Sequence, residues 1–309
     1  TYDQDVWVMT AISLLNGDRQ GAIIMKGIEG ETKAYNGTDY TYYGPADCEI
    51  VENTDGTVDY NFKLREDLKF SDGEPITIDD VIFSMYVLCD PTYDGNSTLF
   101  ALPIEGMDAY RSGMDTLYNL MLAAGRDNTD FTNNKWTEEE QTAFWADVDQ
   151  AGVKFVQAIM QYCIAQGANA EGDSVAACMK NWGFELPADA TEADAFNAIV
   201  AKYPSLAEAV DAEKPEGTTF TSLLNDYETK YTKGIETGTS AANISGIKKT
   251  GDYSMTVSLT QVDATAIYQL GVTIAPMHYY GDKTKYNYEN NQFGFDKGDL
   301  STVRAKTTT

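Results

Sequence analysis

Hydrophobic and polar residues alternate most clearly between residues 49 and 64 of the chain. A first strand is predicted at 49–52 and a turn at Thr54-Asp55-Gly56. In the strand that follows, polar residues separate four apolar ones, Val58, Tyr60, Phe62 and Leu64. Because successive side chains of a strand point to opposite faces, this pattern predicts a β-hairpin with one apolar face. Residues 244–259 repeat the design around the turn Thr250-Gly251-Asp252 and predict a second hairpin.

A helical period follows the first hairpin. Thr77, with Asp80 three residues later, has the spacing of a helix N-terminal cap. Apolar residues then recur on one side, at Val81, Ile82, Met85 and Leu88, and Asp90-Pro91 predicts the end of the helix. Upstream, the pattern predicts a helix over 3–15 and a buried strand over 21–28. Residues 35–47 are predicted to form a loop with short edge strands.

Strand signals disappear between residues 114 and 233. Helix caps recur there at Thr137, Ser174, Thr191 and Ser205, and residues 138–166 carry apolar positions at helical spacing. Because strand patterns bracket this block, the sequence predicts one α+β domain interrupted by an insertion. We expect residues 1–113 and 234–309 to form the two parts of an α+β lobe, and residues 114–233 to form an all-helical insertion.

The composition is that of a soluble globular chain with a strongly acidic surface. Its 309 residues are 43% hydrophobic and 23% charged, with a net charge of -26 and a pI near 4.2. Nucleic-acid affinity comes largely from Lys and Arg, and anionic lipid head groups repel acidic proteins. Both are therefore excluded as expected partners. No apolar run is long enough to predict a membrane-spanning helix.

The sequence offers little catalytic or metal-binding chemistry. His278 is the single histidine, so multi-histidine metal centres are excluded, and neither a Gly-x-Ser-x-Gly nor a glycine-rich nucleotide motif occurs. Asp90-x-Thr92-x-Asp94-Gly95 begins like a calcium-binding EF-hand loop, but Ala101 stands where a bidentate Glu is needed. We therefore predict no catalytic residue, no metal and no cofactor.

Four cysteines are too few and too scattered for a disulfide scaffold. Cys163 and Cys178 fall on successive predicted helices and would be able to pair if those helices pack antiparallel. The alternative is that both are buried free thiols, which are common in protein cores. The composition alone does not decide between a reducing and an oxidising compartment.

Residues 62–85 carry the most specific motif, which begins Phe-Lys-Leu-Arg and continues through Phe-Ser-Asp-Gly-Glu-Pro-Ile-Thr to Asp80-Val81. This stretch resembles the signature of the family 5 extracellular solute-binding proteins, the oligopeptide and dipeptide receptors of ABC importers. Ile78 stands where that family usually has Ala. The strand and acidic-start helix over 253–270 and the segment Ala275-Pro276-Met277-His278 resemble further elements of the family. The helical block over 114–233 is not part of its usual pattern.

The resemblance implies a lobe of periplasmic-binding-protein-like fold, of the class II, cluster C type. It implies an extracellular, monomeric substrate-binding component of an ABC transporter that binds peptides or similar small solutes and is not an enzyme. Its protein partners would be the membrane permease subunits. Its location would be the outer face of the cytoplasmic membrane, held by a lipid anchor, or the periplasm. Because family members are longer, the resemblance also implies that this chain is an N-terminal fragment.

Three residues are candidate ligand contacts. Tyr2 and Asp3 lie near the start of the chain, which lacks the ligand-facing Pro-rich loop that the resemblance implies there, and Tyr42 belongs to a tyrosine-rich stretch. Edge-strand packing is the competing interpretation for the tyrosines. The alternative function is that of a protein-interaction module acting through the helical insertion.

Overall fold

The computed structural model describes residues 10–132 and 135–307. The chain divides into two compact units. An α+β unit comprises the residues up to Thr116 together with those from Lys233, and a helical unit comprises Leu117–Thr232.

A four-stranded antiparallel sheet in the order β3-β4-β8-β7 is the centre of the α+β unit. Tyr60 pairs with Val257 and Phe62 with Met255, so that their apolar side chains lie on the buried face. On the other face Ser258 Oγ donates to Asp59 Oδ1 over 2.6 Å. The two predicted hairpins are thus confirmed and are joined edge to edge. The strands are β3 (Ala46–Glu52), β4 (Val58–Leu64), β7 (Ile247–Gly251) and β8 (Ser254–Leu259).

The predicted capped helix is confirmed as α1 (Ile78–Cys89), and its apolar side packs into the same hydrophobic core as the sheet. At its N-terminus the backbone N–H of Thr77 donates to Asp80 Oδ2 over 3.0 Å. At its C-terminus Nη1 of Arg111 donates to the carbonyl oxygens of Cys89 and Asp90, at 2.9 and 2.7 Å. Both ends of α1 therefore have partners for backbone groups that a helix leaves unpaired.

Shorter elements complete the α+β unit. β1 and β2 form a hairpin, β5 and β6 form a two-stranded ribbon, and β9 and β10 form another. These strands are β1 (Glu31–Tyr35), β2 (Thr38–Tyr42), β5 (Met114–Thr116), β6 (Gly234–Glu236), β9 (Tyr286–Asn287) and β10 (Gln292–Phe293). The helices are α2 (Met107–Arg111), α9 (Ala266–Gln269), α10 (Met277–Tyr280) and α11 (Ser301–Thr307), with 3-10 turns at Leu99–Ala101, Lys283–Lys285 and Tyr288–Asn290.

The helical unit is built around one long helix, α4 (Glu138–Ala165), whose predicted capping box is present. Glu140 N donates to Thr137 Oγ1 over 3.1 Å, and Thr137 N donates to Glu140 Oε2 over 2.7 Å. The other helices are α3 (Leu117–Ala124), α5 (Val175–Trp182), α6 (Glu192–Ala201), α7 (Leu206–Ala212) and α8 (Tyr227–Lys230), with a 3-10 turn at Thr221–Leu223.

Aromatic side chains fill the core of the helical unit. Phe155 of α4 lies edge-on to Phe196 and Phe220, and these two rings stack with centroids 5.5 Å apart. Gly152 lies directly against Phe196, where a Cβ atom would come within 2.2 Å of the ring. The aromatic and aliphatic positions that repeat along α4 are therefore the unit's own core.

Two upstream predictions are wrong in the described residues. The predicted helix does not extend over 11–15, because residues 12–14 pair with 272–274. Leu14 N donates to Val272 O and Ile274 N donates to Ile12 O, each over 2.8 Å. Residues 21–28 form isolated bridges instead of a regular strand, and Cys48 N donates to Met25 O over 2.8 Å. In both places distant backbone partners decided the conformation.

All four cysteines are free and buried, including Cys163 and Cys178. Burial raises the thiol pKa of Cys48 to about 12 and that of Cys89 to about 12. Among the described residues, no helix is both long and apolar enough to cross a bilayer.

Candidate functional site

A cleft of about 1280 Å³ opens on the α+β unit. Its walls come from distant parts of the chain: residues 10–12, residues 69–72, one side of α1, the loop over 93–97, residues 269–276 and α11. Clefts with mostly apolar walls and a few polar groups are the usual form of a small-molecule site. The cleft is therefore the candidate site.

The floor of the cleft is apolar. Phe83, Val87 and Leu88 line it from α1, and Val272 and Ile274 line it from the segment beyond α9. Helical spacing places the three α1 residues on neighbouring positions of one side of that helix. The signature motif thus supplies part of the floor, and the segment over 272–276 supplies the rest.

Ser84 joins these two parts of the floor. Its hydroxyl, in a side chain buried within α1, donates to Asp80 O over 2.7 Å and accepts from Ala275 N over 2.9 Å. A buried hydroxyl that is satisfied on both sides fixes the position of each partner. The extended segment beside the floor is held in place by this serine.

Two buried carboxylates attach the ends of α1 to the later chain. Asp80 Oδ1 accepts from Met277 N over 3.1 Å, and Asp90 Oδ2 accepts from Gly298 N over 2.8 Å. Burial raises the pKa of both carboxyl groups, and the backbone N–H donors oppose that shift. These contacts hold α10 and the start of the segment that leads to α11, both of which border the cleft.

Charged and aromatic groups form the rim. His278 Nε2 lies 2.6 Å from Asp72 Oδ2, and its ring is edge-on to Phe70. The hydrogen bond with His278 lowers the pKa of Asp72. On the α11 side, Arg304 Nη1 donates to Asp94 Oδ1 over 2.7 Å. The carboxylates of the rim are therefore already paired with cationic or basic side chains.

Lysine and tyrosine complete this rim. The Nζ atom of Lys306 lies 4.8 Å from the centre of the Tyr279 ring, and the Tyr279 side chain is 46% exposed. Tyr280 contacts Tyr279 edge-on and lines the cleft beside it. An exposed aromatic face next to a cation provides both a stacking surface and a charge for a ligand.

Of the candidate ligand residues proposed from the sequence, Tyr42 alone belongs to the described residues. Tyr2 and Asp3 lie outside the described residues. Tyr42 lies on β2, opposite Glu31 and 6.5 Å from the Tyr40 ring, and does not line the cleft. Its role in ligand binding stays a prediction.

Sequence reasoning missed the cleft residues that come from the end of the chain. Arg304, Lys306 and Tyr279 stand in stretches with no distinctive pattern. The one local signal was the segment Ala275-Pro276-Met277-His278, which the family resemblance had already singled out. Only the fold places this segment against α1.

The acidic stretch Asp90-x-Thr92-x-Asp94 forms a turn whose carboxylates have protein partners. Asp90 Oδ1 accepts from the N–H and the hydroxyl of Thr92, at 2.8 and 2.5 Å, and Asp94 accepts from Arg304. Over residues 10–132 and 135–307, no group of three or more His, Cys, Asp or Glu side chains is placed to hold a metal ion.

Residues 44–183 match the family model described as bacterial extracellular solute-binding proteins, family 5, middle. The matched range begins just before β3, contains the signature stretch over 62–85 and extends into the helical unit as far as the residue after α5. This match confirms the family resemblance. Because the matched range includes residues 114–183, the expectation that the helical block lies outside the family's pattern is wrong for those residues. No curated protein and no solved structure matches the chain.

Proposed function

We propose that this chain binds peptides or similar small solutes for an ABC importer. The premise is that residues 44–183 match the family 5 extracellular solute-binding proteins. The family supports an extracellular solute-binding role in import in general. The observation that carries the proposal for this chain is the cleft, because its apolar floor and paired, polar rim suit a small amphipathic molecule.

The mechanism follows from how such a cleft stabilises a ligand. Apolar parts of the solute would displace water from the floor formed by Phe83, Val87 and Ile274. Burial of apolar surface contributes about 25 cal/mol per Å². Polar parts would meet the rim, where Ser97, Gln269 and Thr273 offer hydrogen-bonding groups. Such contacts tolerate varied side chains when water fills the remaining space.

The wider assignment is part of the same proposal. The α+β unit is one lobe of a class II, cluster C receptor, and residues 114–233 are an addition to that lobe. The receptor works as a monomer, without catalysis, and docks on permease subunits while lipid-anchored outside the cytoplasmic membrane or free in a periplasm. Tyr2, Asp3 and Tyr42 are proposed as further ligand contacts. A crystal structure of a peptide complex tests these contacts, and a bound peptide that touches none of the three residues contradicts them.

The test of binding uses isothermal titration of the chain with pools of two- to four-residue peptides. We expect measurable heat for the natural chain and its loss in Val87→Trp, because the larger side chain occupies the cleft. Val262→Trp is the matched control, since Val262 is 63% exposed and does not line the cleft. Equal binding by both variants would show that the cleft is not the site. Circular dichroism establishes that each variant is folded.

One observation favours the alternative role for the helical unit. Every described residue that lines the cleft belongs to the α+β unit, so the helical unit supplies none of them. Removal of residues 117–232 should then leave solute binding intact. Loss of import with intact binding would identify the helical unit as an interaction module, and unchanged import would exclude that role.

A further inference from the structure

The four-stranded sheet has a short stretch of open edge at the end of β3. In an antiparallel sheet, successive residues of a strand direct their backbone N–H and C=O groups to opposite sides. Cys48 N donates to Met25 O over 2.8 Å, on the side away from β4. The same alternation directs the backbone groups of Ile50 and Glu52 away from β4. Over residues 10–132 and 135–307, these groups have no hydrogen-bond partner.

Other stretches of the sheet edge are covered by the chain itself. Residues 25–28 lie along the first half of β3, where Lys26 forms a bridge with Asp47. At the opposite edge, the hydroxyl of Tyr288 donates to Ile247 O of β7 over 3.1 Å. An uncovered edge is a template for pairing with another strand, and proteins usually protect it. The open end of β3 therefore differs from these covered stretches.

The side chains of the open edge are those of Glu49, Ile50, Val51 and Glu52. Ile50 and Val51 are 41% and 37% exposed. Both glutamates are exposed, and within the described part of the chain neither carboxylate has an ion pair or a hydrogen bond. Because side chains alternate between the faces of a sheet, each face presents one apolar and one acidic residue at this edge.

A second copy of the chain is poorly suited to this edge. Antiparallel pairing of β3 with itself has two registers that avoid the covered residues. One places the two Val51 residues opposite each other and the two Glu52 carboxylates diagonally across the junction. The other places the Glu52 carboxylates directly opposite each other. Like charges at such positions oppose pairing, and the net charge of -26 on each copy adds to the repulsion.

We propose that the open edge of β3 binds an extended segment of a partner protein as an added strand, and that this segment carries two adjacent apolar residues between two basic ones. Backbone hydrogen bonds to Ile50 and Glu52 would hold the segment, since such bonds give strand addition its affinity. Basic residues opposite Glu49 and Glu52 would neutralise both carboxylates, and apolar residues would cover Ile50 and Val51. The surface is separate from the cleft, whose described lining contains none of these four residues.

The experiment measures the binding of two labelled hexapeptides with blocked termini by fluorescence anisotropy. The basic probe is Thr-Lys-Val-Val-Lys-Thr, and the acidic probe is Thr-Glu-Val-Val-Glu-Thr. We expect the natural chain to bind the basic probe at least tenfold more tightly at low salt, where exposed charges are least screened. In the double variant Glu49→Lys with Glu52→Lys the preference should reverse, because the edge then carries the opposite charge.

A matched control is needed because an acidic protein attracts cationic peptides without a specific site. The double variant Glu66→Lys with Glu289→Lys makes the same change in net charge at two exposed positions outside the four strands. It should keep the preference for the basic probe.

Ile50→Pro tests the backbone of the edge. Proline is tolerated at an edge position whose N–H faces outward, but it removes that donor. We expect at least tenfold weaker binding of the basic probe, with an unchanged circular dichroism spectrum. Val87→Trp, which places a larger side chain in the cleft, should leave the binding of this probe unchanged.

Failure of the basic probe to bind, equal binding of the two probes, or a basic preference that survives the substitution of Glu49 and Glu52 overturns the inference. Loss of binding in Val87→Trp also overturns it, since the probe would then lie in the cleft, and the proposed function would stand. Sedimentation equilibrium gives a further check. A dimer of the natural chain that dissociates in Ile50→Pro would identify a second copy as the occupant and overturn the inference.

Discussion

At the scale of single residues, the buried carboxylates of α1 decide how the α+β unit is held together. Asp80 and Asp90 are only 4% and 0% exposed, yet each accepts backbone N–H groups from a segment about two hundred positions later in the chain. A buried carboxylate is tolerated only where such donors replace water. The presence of Asp80 in the signature motif and of Asp90 at the end of α1 is thus explained by folding and not by ligand chemistry.

Asp90→Ala should destabilise the protein by about 1–3 kcal/mol. The substitution leaves the N–H groups of Thr92 and Gly298 buried without an acceptor, and that loss sets the magnitude. Urea unfolding followed by circular dichroism measures the change in the free energy of unfolding. Glu289→Ala, at an exposed position, is the control and should change it by less than about 0.5 kcal/mol. Equal effects of the two substitutions would contradict the role of Asp90.

The pH dependence of Asp90→Asn tests the direction of the pKa shift. The pKa of Asp90 in the folded protein is raised above its ordinary value of 3.8. At a pH between the unfolded and the folded pKa, the native state therefore binds more protons than the unfolded state. The contribution of Asp90 to stability therefore falls as the pH rises through that window. Asparagine does not titrate. The free energy of unfolding of the natural chain, minus that of the variant, should be larger at about pH 4 than at about pH 8.

Asp72→Asn should show the opposite trend. The hydrogen bond with His278 lowers the pKa of Asp72, so its contribution is present above the unfolded pKa and is lost as the pH falls. The effect is small because the Asp72 side chain is 52% exposed. The same trend in both variants would show that the assigned shifts are wrong.

At the scale of elements, local sequence signals account for some helices and hairpins, and tertiary packing decides other segments. The hairpin β3–β4 and the caps at Thr77, Thr137 and Thr191 follow from patterns a few residues long. The hairpin β1–β2 turns at Asn36-Gly37, where both residues have positive φ. Asn-Gly is a strong signal for such a turn. The prediction of a loop with short edge strands over 35–47 did not include this hairpin.

Thr137→Ala should reduce the stability of the helical unit by about 1 kcal/mol, because the first turn of α4 loses the side chain that accepts from Glu140 N. Thermal unfolding measured by circular dichroism detects the change. Thr142→Ala, the same chemical change within α4, is the control. The Thr142 hydroxyl bonds only back to Glu138 O, so its removal should be neutral or slightly stabilising. A larger loss in Thr142→Ala would argue against the cap.

Gly152→Ala should destabilise the helical unit although alanine favours helices by about 1 kcal/mol over glycine. The added methyl group would lie 2.2 Å from the Phe196 ring, which is stacked on Phe220, and such overpacking costs about 1–3 kcal/mol. Urea unfolding measures the net loss. In a Phe196→Leu background the same substitution should cost less. An unchanged penalty there would exclude the Phe196 contact as its cause.

At the scale of the whole molecule, the net charge of -26 is the dominant electrostatic fact. Such a charge keeps the chain soluble but destabilises the compact state through self-repulsion. Raising the NaCl concentration from about 50 mM to about 500 mM shortens the range of that repulsion. We expect the Tm at pH 7 to rise by about 2–4 °C, which corresponds to about 1 kcal/mol for a protein of this size.

Differential scanning calorimetry at the two salt concentrations checks this expectation. The control is the same pair of measurements near the pI of about 4.2, where the net charge is close to zero and salt should have a much smaller effect. A Tm that falls with salt at pH 7 would indicate that attractive ion pairs, and not repulsion, dominate the surface.

The sequence by itself determined the hairpins, the capped helices, the strongly acidic surface and the family signature. The hairpins, the helices and the signature depend on the period of side chains along a strand or helix, or on a turn of a few residues, and the acidic surface follows from composition. All of them can therefore be predicted without the rest of the fold. For the same reason the signature over 62–85 indicated the family and left the ligand open, since Thr77 and Asp80 serve the fold.

Only the tertiary structure decided where the candidate cleft lies. The cleft depends on α1, residues 272–276 and α11, which are separated by up to more than two hundred positions and meet through Ser84, Asp80 and Asp90. The conformation of residues 12–14 was likewise decided by pairing with 272–274. Long-range pairing of this kind outweighs weak local propensity, because a buried backbone N–H or C=O must find a partner wherever the fold provides one.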